Sequence, residues 1–215
     1  MRYLAIDFET NGRPNDCVLP LGAFPTQVSI DSFDDDTGEV AHVYDSFIQG
    51  ARSLSDWVLA NTPVTLDKLQ NAPLPGAVSD ALEAICQDGD IVVAHNTGFD
   101  LDQVLPKIAA PEHALMRAPV VDTMRDPWVR AVVASQPSFK DLCKHLGVAY
   151  RPRKAHDARY DSRALAQCLQ AAHKMGHVWT AKPAKARKAP KMFFCGGAKP
   201  SEEVSPASLM SLPLS

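Results

Sequence analysis

The stretch LAIDFETNGRP, residues 4–14, constrains what this chain can fold into more than any other. Leu4, Ala5 and Ile6 suit a buried strand, and Asp7 and Glu9 follow with only Phe8 between them. Residues i and i+2 of a strand point to the same face. A strand that runs through Glu9 therefore sets two negative charges side by side at its end, beside the core. Unpaired buried charge is costly, so other parts of the chain must bring something that compensates it.

The order of elements shows where that help can come from. Alternating and apolar runs predict strands near 2–8, 26–33 and 40–48, the last two joined in a hairpin by the polar turn DDDTGE, 34–39. A long Gly- and Pro-rich loop, NGRPNDCVLPLGAFP, separates the first two strands. Ser53 or Ser55 caps a short helix through Leu59, and Ala77–Cys86 has apolar residues at helical spacing. IVVA, 91–94, reads as a short strand buried on both faces, and Phe99–Ile108 as a helix. Val120–Val121 is a fifth strand, with Asp122 capping a helix toward Val133. Further helices span Ser138–Leu146, ended by Gly147, and roughly Asp157–His173, where Ala164, Leu165, Cys168, Leu169 and Ala172 form an apolar stripe. Antiparallel pairing followed by βα units implies an α/β protein with a mixed sheet covered by helices.

Two more acidic motifs sit at element boundaries. HNTGFD, 95–100, follows the strand 91–94 and places Asp100 at the start of the next segment. HDARYD, 156–161, opens the last long helix, with Asp161 in its first turn and His156 just ahead of it. Four carboxylates meeting at one sheet edge would bind protons unless cations are supplied. Hard divalent ions with oxygen ligands are the usual answer, and the lack of nearby Cys favours Mg²⁺ or Mn²⁺ over zinc. The residues alone leave His95 and Asn96 open between stabilising the turn and touching substrate, and Phe99 between core and a platform for a base.

Asp7-Phe8-Glu9-Thr10, His95-Asn96-x-x-Phe99-Asp100 and His156-x4-Asp161, in this order, resemble the three exonuclease motifs of the DnaQ-like DEDD superfamily, histidine branch, over roughly residues 1–175. The resemblance implies a ribonuclease H-like fold, a mixed five-stranded sheet flanked by helices, in an exonuclease domain of residues 1–178. It implies a 3′→5′ exonuclease releasing nucleoside 5′-monophosphates from nucleic acid 3′ ends, single-stranded DNA foremost, in DNA repair or proofreading. Two divalent ions follow from it. Asp7 would bridge both, Glu9 and Asp161 would hold the one that binds water, and Asp100 would support the other. His156 is then the base, and Thr10, His95, Asn96 and Phe99 are the substrate-binding candidates. Other readings are an RNA-directed exoribonuclease, a weakly active or silent module that binds a polymerase or other protein, and a phosphohydrolase of free nucleotides.

Charge and cysteine usage narrow the setting. Net charge is −3, but the segment after Trp179 carries six of the 22 Lys and Arg against two of the 25 Asp and Glu. The first 179 residues therefore hold 16 basic and 23 acidic residues, a net of −7. An acidic body argues against broad electrostatic binding of nucleic acid. Residues 179–215 read as a tail, first basic and then Ser/Pro-rich, largely disordered and a place for a protein partner, with Phe193-Phe194-Cys195 apolar enough to dock. Five cysteines without a CxxC pair imply a reducing, cytoplasmic setting. No signal peptide and no membrane span is expected.

Overall fold

The computed structural model describes residues 1–12 and 23–184. Most of the Gly- and Pro-rich loop, nearly all of the tail and the Phe193-Phe194-Cys195 motif lie outside the described residues. Five strands, β1 (Arg2–Thr10), β2 (Pro25–Asp34), β3 (Val40–Phe47), β4 (Ile91–Ala94) and β5 (Val120–Asp122), form one sheet in the order β3-β2-β1-β4-β5. β1 pairs antiparallel with β2 and parallel with β4, while β2–β3 is antiparallel and β4–β5 parallel. This is the mixed five-stranded sheet flanked by helices that the element order implies.

The centre of the sheet is β1, and its side chains divide by parity. Leu4, Ile6 and Phe8 enter one core with Val92, Leu101 and Val104. Tyr3 and Ala5 enter the other, on the face covered by the last helix. Leu4, Ala5 and Ile6 are all fully buried, so this strand is apolar on both faces, as a covered central strand must be. Asp7 and Glu9 continue the odd-numbered row. They therefore emerge on the Tyr3/Ala5 face, at the end of the strand.

That face is covered by α8 (Ala158–Lys174), whose stripe of Ala164, Leu165, Cys168, Leu169 and Ala172 is buried throughout. Two polar contacts fix its start against β2. Gln27, opposite Glu9 in the β1–β2 register, donates to Asp157 Oδ1 (3.0 Å) and accepts from the Ala158 N–H (3.4 Å). One turn on, Ser162 Oγ and the Arg163 guanidinium donate to buried Asp31 at 2.9 and 3.1 Å. The first turn of α8, with Asp161, is thus held beside the end of β1.

Shorter helices fill in around the sheet: α1 (Asp56–Asn61), α2 (Leu66–Gln70) and α3 (Pro75–Ile85) before β4, then α4 (Thr97–Phe99) and α5 (Ala114–Arg117) before β5. Val58, Val64 and Leu69 make a small satellite core under α1 and α2. α6 (Pro127–Val132) and α7 (Phe139–His145) precede α8. Ser55 caps α1, Ser138 caps α7, and Asp34 accepts the Asp36 and Thr37 N–H groups in the hairpin turn.

The structure departs from expectation in two places. The helix expected over 99–108 is broken into α4, a π-helical stretch Asp100–Val104 and a 3₁₀ turn Leu105–Lys107, because Pro106 has no N–H to continue an α-helix. Asp122 does not cap the helix toward Val133. Asp126 does, accepting from Trp128 and Val129 N–H with Pro127 in the first turn, the stronger start signal. Beyond α8 the chain stays on the body: Trp179 is buried beside Trp128, and Lys182 forms a bridge with Val120 of β5. No helix among the described residues is long and apolar enough to cross a membrane.

Leu169 lies in the middle of the α8 stripe, fully buried and away from the sheet's acidic end. Leu169→Ala is expected to lower unfolding free energy by about 2–5 kcal/mol through lost transfer energy and a residual cavity. Denaturant titration at constant m-value checks it.

Candidate active site

Four carboxylates from three places in the sequence converge at the end of β1. Glu9, Asp100 and Asp161 are buried, and Asp7 is partly open to a cavity of about 300 Å³. Asp7, Glu9, Asp161 and His156 line that cavity, with Phe8, Trp57, Phe99, Phe139 and Tyr150 as aromatic walls. Thr10 and His95 line it too. Asp100 and Asn96 do not. Asp100 stands behind the wall, where its Oδ1 accepts the Phe8 N–H at 3.0 Å. That amide lies past the last β1–β4 pair, Ala5 with Val93, so without Asp100 it would lack a ladder partner.

Asp161 is held from two sides. Tyr150 donates its hydroxyl to Oδ1 (2.8 Å), and the His156 main-chain N–H donates to Oδ2 (2.9 Å). The second bond fixes a backbone bend at His156, whose φ of 64° is unusual for a non-glycine residue. The bend turns the imidazole toward the acids: ligand atoms of Glu9, His156 and Asp161 lie within 4.8 Å of one another. The Trp57 ring meets the imidazole edge-on, centroids 4.8 Å apart.

The HNTGFD segment is braced by groups well outside it. Asp122, at the end of β5, accepts the Asn96 N–H (3.2 Å), the Thr97 N–H (3.1 Å) and the Thr97 hydroxyl (3.0 Å). Asn96 takes a left-handed conformation there, φ 89°. His95 has both ring nitrogens engaged, Nδ1 with Thr123 Oγ1 (2.9 Å) and Nε2 with the Pro137 carbonyl (3.1 Å), which requires the Nε2–H tautomer. Burial lowers the His95 pKa, so the ring is neutral and props Phe139, 5.3 Å away. Phe99 packs against the core and also faces the cavity. Among the candidate residues, Thr10 donates its hydroxyl to the Gly12 carbonyl (2.7 Å). Tyr150, Trp57 and Asp122's bracing of residues 96–97 were not legible from spacing, since each is linked to the acids only through the fold.

The electrostatics follow from crowding in a sheltered place. Burial first, then Asp161, Asp100 and Glu9, pushes Asp7 far above the ordinary carboxylate range. Burial, Asp161 and Asp100 do the same to Glu9. Burial raises Asp100 to about 8 against the opposing Phe8 N–H. Asp161 reaches about 6, burial again leading, with the Tyr150 and His156 donors pulling the other way. Burial and the neighbouring Asp161 raise the Tyr150 phenol, which stays a donor. No Lys or Arg is among the described residues lining the cavity. An all-oxygen donor set with no internal cation fits hard divalent ions.

This fold and site define a nuclease. A family model described as exonuclease, of the RNase_T type, matches residues 4–169, and the chain belongs to that family. Among curated proteins it is similar to the PolC-type DNA polymerase III of Bacillus subtilis (strain 168), 29% identical over 173 residues. It is also similar to that of Oceanobacillus iheyensis, 26% over 171 residues. Each match covers 78% of this chain but only 11% of the polymerase, so the chain spans about a tenth of these relatives' length. Among solved structures, the nuclease domain of 3′hExo, a DEDDh family member bound to rAMP, aligns with a TM-score of 0.69 at 15% identity. The alignment covers 86% of this chain and 97% of that one. Escherichia coli exonuclease I in complex with a dT13 oligonucleotide aligns at 0.61 and 17% identity, over 80% and 40%. At such identities these two show a shared fold.

Because the folded state raises these carboxylate pKa values, it holds more protons than the unfolded chain from the ordinary value of 3.8 up to about 8 at Asp100. Stability without divalent ions should therefore be highest at the acid end of this window and fall as pH rises through it. Thermal melts in EDTA across that range check the sign, and added Mg²⁺ or Mn²⁺ should recover most of the loss at the alkaline end.

Proposed function

We propose that the chain is a metal-dependent 3′→5′ exonuclease that cuts single-stranded DNA from its 3′ end, releasing nucleoside 5′-monophosphates. The observation that carries this is the convergence of Asp7, Glu9, Asp100 and Asp161, with no Lys or Arg among the described residues lining their cavity, beside the His156 imidazole. Asp7, Glu9, Asp161 and Asp100 would hold two divalent ions. Bound there, these would neutralise the phosphate and stabilise both the attacking and the leaving oxygen.

The chain's own groups do the rest. His156 takes one proton from the attacking water as its oxygen bonds to phosphorus and the P–O3′ bond breaks, and the leaving 3′ oxygen is reprotonated from solvent. Imidazole is the side chain most often used for proton transfer near neutral pH. Asp161, through the His156 N–H, keeps that ring at the acids. Phe8, Phe99 and Trp57 give the terminal nucleotide apolar surfaces, and main-chain groups around Thr10 close the end of the cavity where a 3′-OH would sit. The PolC-type relatives favour DNA and a proofreading or repair setting, with a polymerase as the protein partner. One solved neighbour concerns 3′-end recognition of a histone mRNA stem-loop, which makes RNA the second reading. The working unit is residues 1–184 in this proposal, since Trp179 and Lys182 pack on the body.

End-labelled DNA and RNA strands, incubated with Mg²⁺ or Mn²⁺ and with EDTA, test the reaction and its substrate together. A ladder shortening from the 3′ end only with metal is expected, faster on DNA. Asp7→Ala should abolish it while the metal-free melting temperature stays equal or rises, because repulsion is relieved. A variant with near wild-type turnover would sink the reading. His156→Ala should lower turnover by about 10²–10⁴-fold, the usual worth of a positioned base, and leave metal binding largely intact. Removal of residues 185–215 should leave hydrolysis of short single strands unchanged.

A further inference from the structure

The acidic body carries one concentrated basic segment. Five of the 16 Lys and Arg in the first 179 residues fall in 151–163: Arg151, Arg153, Lys154, Arg159 and Arg163. Only Asp157 and Asp161 oppose them in that stretch. Arg163 is spent on Asp31, and Arg159 stays 64% exposed with its Nε a distant 3.8 Å from Asp45. Arg151, Arg153 and Lys154 are exposed and form no ion pair among the described residues. Arg151, Arg153 and Lys154 are therefore available to an anionic ligand.

Its position gives it a ligand. Arg153, Lys154 and Arg159, with the single carboxylate Asp157 among them, form one side of an open groove of about 600 Å³, and Ala60–Pro63, uncharged, forms the other. The groove and the acidic cavity draw their linings from the same two segments, each through different residues. α1 gives Trp57 and Val58 to the cavity and Ala60 and Asn61 to the groove. The segment 150–161 gives Tyr150, His156 and Asp161 to the cavity and Arg153, Lys154, Asp157, Arg159 and Tyr160 to the groove. Tyr160 fixes the groove to the site. Its hydroxyl accepts the Arg151 N–H (2.7 Å), and its ring stacks on Tyr150 with centroids 5.4 Å apart. Tyr150 in turn holds Asp161.

We propose that this groove is a second subsite, holding backbone phosphates of the single strand whose 3′ end occupies the acidic cavity. The inference rests on the exonuclease reading and extends it to how the strand is kept. A cavity of carboxylates repels a polyanion. Positive contacts a short distance along the same strand offset that repulsion while adding no cation to the metal-binding acids. Such contacts are to phosphate, so they hold any sequence alike.

The test compares Arg153→Gln/Lys154→Gln and Arg153→Glu/Lys154→Glu with wild type, on a dinucleotide and on a longer single strand, after melting temperatures confirm folding. The longer strand should show a KM raised several-fold by neutralisation and further by reversal, with kcat nearly unchanged. The dinucleotide, whose single phosphodiester is the one held at the acids, has no further backbone phosphate for the groove and should show neither change. The salt dependence of KM for the long strand should flatten by about 0.7 in logarithmic slope for each phosphate interaction removed. Equal effects on both substrates, or none on either, would overturn the subsite. If wild type hydrolyses nothing, the exonuclease reading fails separately. Binding of a labelled strand to Asp7→Asn protein then decides the groove: weaker binding by the groove variants sustains it, and unchanged binding removes it. Loss of polyglutamate binding with strand affinity intact would assign the face to an acidic protein and likewise overturn the proposal.

Discussion

Asp7, Glu9, Asp100 and Asp161 repel one another at the edge of the core, and the fold holds them there regardless. Two of them share one face of β1 because strand side chains alternate. A third arrives on the first turn of α8, whose buried stripe packs on that same face. The fourth is carried by a turn that Asp122 braces across from β5. Each position is thus fixed by packing or by neutral donors, with no local cation. The Phe8 amide, the Tyr150 hydroxyl and the His156 amide all hold pKa values down against burial. They organise the acids without neutralising them, which leaves the net negative charge for a ligand.

Much of this was legible in the sequence because the chemistry sits where periodicity is strongest. β1 and β4 are apolar runs with sharp ends, and the α8 stripe keeps helical spacing through a helix of 17 residues, long enough for pattern to outweigh chance. Asp7, Glu9 and Asp161 lie within three residues of those ends and Asp100 six beyond β4, so finding the elements places the acids. The less visible parts depend on long-range contact. Tyr150 is an unremarkable tyrosine until α8 brings Asp161 under its hydroxyl. Asp122 and Asp126 are both plausible caps by residue type. Pro127 favours the second, and the turn at 96–97 claims the first. The broken helix at Asp100 follows from Pro106, yet a π-helical stretch is set by how Leu101 and Val104 fit the core.

The division of exposure among the acids has a functional sense. Asp100 is sealed behind Phe8 and bonded to its amide, while Asp7, Glu9 and Asp161 open on the cavity. A fixed inner carboxylate and three outer ones make a donor set that can be filled from one side. The aromatic wall limits what else enters. On the proposed reading, the aromatic walls would meet the base and sugar of a nucleotide, whereas its phosphate would be drawn only once cations occupy the acids.

His156 shows how the backbone is made to serve the same end. A positive φ at a non-glycine residue costs about 1–3 kcal/mol and persists only where surroundings over-determine it. Here two groups do so. Asp161 captures the main-chain N–H, and Trp57 packs against the ring. The same carboxylate that helps form the anionic cluster thereby aims the imidazole at it. The bend also turns the chain outward immediately before His156, where Arg153 and Lys154 reach solvent. A single short segment therefore presents the exposed His156 imidazole to the acids and positive charge away from them. The acidic cavity and the basic groove are in this sense two faces of one loop, tied together by Asp161, Tyr150 and Tyr160.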